Sequence, residues 1–408
     1  MTSSASLLRV VALGAALITP AAGLPQVAVR GHIVHTMAGP PIYDGMVIIR
    51  DGKIAAVGKA ADVHAPPGFQ VLEAAIVTPG LIDAHTVVGL AGYLNYAHDQ
   101  DQLEASSPIQ PELRAVDAYN ARDALVEWLR GFGITSIHTG HGPGGLISGQ
   151  TMVVKTKDGP VDEAIVKAPA AIAVTLGPAS RRGESRSPGT RGKMMAMLRE
   201  KLIQAGEYGK KAAREDREKR PARDLALETL VRVLEGDLPL LITAQKAQDI
   251  ASALRLAEEF KLKVILDGAA EAPLVIDRIR AAGFPVILHP PMARASGEME
   301  SASYESAALL RRAGIPFALQ SGYESYVPKT RVVLFEAAIA AANGLSFEEA
   351  LASITIDAAR ILRVAERVGS IEVGKDGDLA LYDGDPFEYT THCTGVVIEG
   401  KVVSNAPR

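Results

Sequence analysis

Pro79-Gly80-Leu81-Ile82-Asp83-Ala84-His85-Thr86-Val87-Val88-Gly89 is an apolar run that opens on a Pro-Gly turn signal and carries one carboxyl group and one imidazole. Side chains two apart on a strand share a face, so position 87 points the same way as His85. Two histidines at that spacing would grip one divalent ion, but position 87 is valine, which has no lone pair to offer a metal. The stretch therefore asks whether the chain holds a metal at this strand end or keeps only the scaffold of such a site.

Outward from this run, both ends of the chain carry strand patterns. Residues 27–34 and 46–58 read as strands, the second a hairpin turning at Asp51-Gly52, and 377–383 and 393–403 repeat the pattern at the far end. Between them, apolar runs alternate with helical periodicities, which predicts parallel strands joined by crossover helices. Seven runs end at His85, Thr139, Leu176, Ala244, Asp267, His289 and Gln320; an eighth is expected within 152–155 or 163–167. Apolar residues recurring on one face predict helices over 247–260 and 330–342, and the charge-dense run 210–223 reads as a solvated helix face.

The first run, together with Val368-Gly369-Ser370-Ile371-Glu372-Val373-Gly374-Lys375-Asp376-Gly377-Asp378-Leu379-Ala380, resembles the amidohydrolase superfamily, in particular its imidazolonepropionase-like branch. The resemblance implies an α/β fold, a (β/α)8 TIM-like barrel over 77–365, with a small β-sandwich formed by the N- and C-terminal segments, 24–76 and 366–408. Chemistry would sit at the C-terminal ends of the barrel strands. It also implies a dinuclear centre in which a bridging water loses its proton near neutral pH. Five expected ligand positions carry other residues: Val87, Pro178 or Ala179, Gln245, Ala269 or Ala270, and Gly322.

No metal or other cofactor is therefore expected; if zinc binds, the candidates are His85, His138, His141 and His289. A metal-free site would use Asp267 or Glu324 as base. Two insertions, 92–111 and 177–193, are expected over the barrel mouth. The second holds Arg181, Arg182, Arg186 and Arg191, which with Gln245 and Tyr323 are expected to bind a small ligand of anionic class.

Composition narrows the rest. A chain of 408 residues, 48% apolar, can bury a large core, and a net charge of −4 offers no basic surface for nucleic acid. Cys393 is the single cysteine, so no internal disulfide forms. Arg9, the apolar run 10–19 and Pro20-Ala21-Ala22-Gly23 read as a cleaved export signal over residues 1–23, which predicts a periplasmic or secreted protein with no membrane span in the mature chain. The sequence is compatible with a homo-oligomer. The leading expectation is an exported, non-catalytic or ligand-binding relative of the hydrolases. The alternatives are a hydrolase of non-peptide C–N bonds of cyclic amide type with an atypical mononuclear or metal-free site, and a structural subunit of a hetero-oligomer.

Overall fold

The computed structural model describes residues 26–408 apart from 95, 184–185 and 324–330. The expected leader and Glu324 thus lie outside the described residues. The chain begins with β1 (Gln26–Val34), β2 (Ile42–Arg50), β3 (Lys53–Lys59) and β4 (Gln70–Pro79). Asp51 and Gly52 take φ of 54° and 80° between β2 and β3. Two positive φ values match a tight turn to the right-handed twist of the flanking strands, as the Asp-Gly pair predicts.

Next come β5 (Leu81–Thr86), β6 (Ile134–Thr139), β7 (Ile147–Gln150), β8 (Met152–Lys155), β9 (Ile165–Lys167) and β10 (Ile172–Thr175). They are followed by β11 (Leu240–Ala244), β12 (Val264–Gly268), β13 (Val286–Leu288) and β14 (Phe317–Leu319), and the chain closes with β15 (Leu379–Tyr382), β16 (Cys393–Ile398) and β17 (Lys401–Ser404). The two ends join in one hydrogen-bonded sheet of order β17-β16-β15-β4-β1-β2-β3. Its core mixes Val29, Val47 and Ile49 from the first segment with Leu379, Leu381 and Val397 from the last, so neither end buries its apolar face alone.

The barrel strands follow the order β14-β13-β12-β11-β10-β7 and β5-β6-β8-β9. Gly322 N donates to His85 O at 3.3 Å and pairs in parallel with Thr86, which brings the end of β14 back to β5. All seven expected strand ends fall within one residue of where the sequence puts them, in a TIM-barrel-like fold. The eighth place differs from expectation in direction. It is filled by β7 and β8, with β7 antiparallel to β10 and β8 antiparallel to β6, while β9 pairs with β8 alone. Only residues 140–146 separate β6 from β7, and a parallel return needs roughly a dozen or more, so the chain doubles back.

The expected helix Ala247–Phe260 forms with those bounds, and a second runs over Val333–Ala342. The charge-dense stretch departs from expectation: the helix Arg191–Ala212 ends early and Leu225–Leu234 starts a new one. Pro221 disfavours helix at the residue before it, and Asp224 caps the next helix by accepting from Leu227 N at 2.9 Å. Among the described residues, no helix is long and apolar enough to cross a membrane.

A buried ion cluster ties the two modules. Lys155, 1% exposed on β8, donates to Asp376 at 2.9 Å and to Asp378, while Lys53 and Arg367 reach Asp376 at 2.5 and 2.9 Å. Removing Lys155 would leave Asp378 a buried charge without its cation, so the C-terminal motif is held by barrel and sheet together.

Candidate functional site

Four barrel strands deliver a hydrogen-bonded cluster to one end of the ring. Asp267, at 0% exposure near the end of β12, has His85 Nδ1 of β5 at 2.8 Å, Thr243 Oγ1 of β11 at 2.6 Å and Gln320 Nε2, just after β14, at 2.9 Å. A carboxylate only accepts, so His85 Nδ1 is the protonated nitrogen of that ring, and the Thr243 hydroxyl is likewise the donor. Asp267, expected as a base, accepts from three donors, because the twist of the ring brings three strand ends onto its two oxygens.

Beside it, Asp83 accepts from Ser321 N at 3.0 Å and from the Ser321 hydroxyl. Burial pushes Asp83 up to about 6, against the Ser321 and His85 backbone bonds that pull it down. His138 is committed on both nitrogens, Nδ1 to Ala84 O and Nε2 to Thr151 Oγ1, each at 2.7 Å. Burial, helped by His85 nearby, holds it down to about 3, so its ring is neutral at physiological pH. His289 uses Nδ1 on Pro290 O at 2.9 Å, whereas Nε2 of His85, Nε2 of His289 and both nitrogens of His141 are buried without a hydrogen-bond partner among the described residues. Burial lowers the His141 and His289 pKa values as well.

Gln245 and Tyr323, each expected to bind ligand, lie together at the rim. Gln245 Nε2 donates to the Tyr323 hydroxyl at 3.0 Å, and the Tyr323 ring lies 5.1 Å from that of His85. Val87 is fully buried, and a Cβ on Gly142 would sit 3.2 Å from Val87 Cγ1, so apolar packing occupies the second position of the first-strand motif. Among the described residues, no three His, Cys, Asp or Glu side chains are grouped so as to hold a metal ion. The four histidine candidates do not converge: His85 and His138 lie with ring centroids 5.6 Å apart, but His138 has no lone pair to spare.

The arginines divide. Arg191 grips Asp249 through Nε and Nη2 at 2.8 and 2.9 Å and reaches Glu298 at 2.9 Å, so it anchors the start of its helix and is corrected from the ligand-binding set. Asp249 lies far along the chain, and only folding brings it close. Arg182 donates to Ala105 O and Ser106 O at 2.8 and 3.2 Å, joining the two insertions as expected of loops that share the mouth. Arg181 and Arg186 stay exposed. Thr243, Gln320 and Thr151 are not among the site residues read from the sequence; a polar residue closing an apolar strand, as Gln320 does, is the available signal.

A profile described as the amidohydrolase family matches residues 276–404. The amidohydrolase tasK of Hapsidospora irregularis is 24% identical over 89% of this chain, which spans 40% of that protein's length. An imidazolonepropionase of Brucella anthropi is 26% identical over 84% of this chain and 87% of its own. The crystal structure of an amidohydrolase from Thermotoga maritima superposes with a TM-score of 0.87 at 28% identity, covering 93% of this chain and all of the other. Barrel, terminal sheet and these likenesses agree that the chain belongs to the amidohydrolase superfamily, in its imidazolonepropionase-like branch.

Proposed function

We propose that this member of the superfamily is an exported protein that has lost dinuclear metal hydrolysis and retains a ligand-binding role. The observation that carries the reading is the Asp267 cluster: His85 Nδ1, Thr243 Oγ1 and Gln320 Nε2 meet on one buried carboxyl group. Protein–protein hydrogen bonds thereby satisfy polar groups that would otherwise need an ion or water. The available donors do not fit a pair of cations, with Val87 and Gln245 in two of the ligand places and His138 committed on both nitrogens. Export is supported by Arg9 and the apolar run after it.

Val87→His tests the reading. One restored imidazole leaves a cation short of the usual four ligands, so the variant is expected to hydrolyse neither open-chain nor cyclic amides when zinc is supplied. Turnover by this single variant would contradict the proposal. A second reading, a mononuclear zinc hydrolase of non-peptide C–N bonds, is favoured by the partnerless Nε2 atoms of His85 and His289. Metal analysis separates the two.

A further inference from the structure

The two insertions enclose a cavity of about 210 Å³, whose lining includes Glu104, Gly144, Ser180, Arg181, Arg182 and Arg186. It shares no lining residue with the Asp267 cluster, so its binding chemistry does not depend on the fate of the metal centre. Arg182 pins one wall to the other through Ala105 O and Ser106 O, which fixes the cavity's width. Ser180 is buried beneath, its hydroxyl donating to Gly177 O at 3.2 Å.

The charges are uneven. Among the described residues lining this space, three are arginines and one is a carboxylate, Glu104, which accepts from Ser106 N at 2.6 Å and is thereby held below its ordinary range. Elsewhere on the surface, arginines sit beside acids: Arg30 with Asp44, Arg114 with Asp117, Arg199 with Glu259 and Arg280 with Asp277, at 2.7 to 2.8 Å. Among the described residues, neither Arg181 nor Arg186 makes an ion pair or side-chain hydrogen bond, although Arg181 exerts an attraction on Glu298. In a chain of net charge −4, two unpaired guanidinium groups beside a third leave the cavity a local focus of positive potential. Guanidinium groups pair with carboxylate and phosphoryl oxygens through parallel hydrogen bonds, and a cavity smaller than those of drug-sized ligands suits a compact anion.

We propose that this cavity is a binding site for a small polyvalent anion carrying phosphoryl or carboxyl groups, held by Arg181 and Arg186 with Arg182 as the fixed wall. Isothermal titration of the full chain at low salt, with inorganic phosphate and separately with succinate, tests it. Saturable binding of either at one per chain is expected, phosphate marking the site as phosphoryl-selective and succinate as carboxylate-selective. Loss of two charge-assisted contacts in the double variant Arg181→Gln, Arg186→Gln should weaken binding at least about tenfold. Both side chains are exposed and unpaired, so the variant should fold, as circular dichroism would verify. Arg280→Gln, at a distant surface pair, should leave affinity unchanged. Absence of saturable binding by both anions up to about 10 mM, or equal affinity in the double variant, would overturn the site.

Discussion

Asp267→Ala is expected to destabilise the protein by about 3–5 kcal/mol, the usual range when one partner of a buried charged network is removed. Three strands contribute donors to that carboxyl group, from His85, Thr243 and Gln320, and truncation would leave His85 Nδ1 and Thr243 Oγ1 buried without it and Gln320 Nε2 with Ile287 O alone. Asp267→Asn keeps the shape but turns one acceptor into a donor, so its loss should be smaller. Urea unfolding of both variants, compared by midpoint at unchanged slope, reads the difference. A loss under about 1 kcal/mol for Asp267→Ala would show that the cluster does not hold the strand ends together.

Acidification from pH 7 to pH 5 is expected to destabilise the fold, in part through His138. Burial holds His138 down to about 3, and it lowers His141 and His289 too. The unfolded chain takes up these protons first, near pH 6.5. The stability is thus present above the unfolded value and is lost as pH falls below it. For His138, about 2 kcal/mol is gone by pH 5. Asp83, raised to about 6, works in the opposite direction: its contribution is full below the unfolded carboxyl range and is lost as pH rises through 6. His138→Gln should therefore flatten the acid loss and Asp83→Asn should steepen it. Within the ion cluster, Lys155, Lys53 and Arg367 together overcome burial and hold Asp376 down to about 2, below this window, whereas burial raises Asp378, which acts in the same direction as Asp83. Identical pH profiles for the three proteins would contradict the assignment.

Much of the fold was legible because the barrel strands are short apolar runs, several of them closing on or beside a polar residue such as Thr139, Asp267 or Gln320. The antiparallel course of β7 and β8 was not, since hydropathy carries no direction; the brevity of residues 140–146 was the clue. The site was read at the level of what stands in each ligand place, and Val87 and Gln245 are a buried apolar side chain and a rim amide bonded to Tyr323. What fills the centre was hidden, because Thr243, Asp267 and Gln320 meet only through long-range register. The same holds for Arg191, whose partner Asp249 is brought near by a helix that packs beside it.

Elemental analysis of the protein purified without chelator or added metal tests the loss of the metal centre most directly. Well under one transition-metal ion per chain is expected, with no change in content on His85→Ala. One or two zinc ions per chain, absent from His85→Ala, would contradict that loss and establish the mononuclear or dinuclear hydrolase instead.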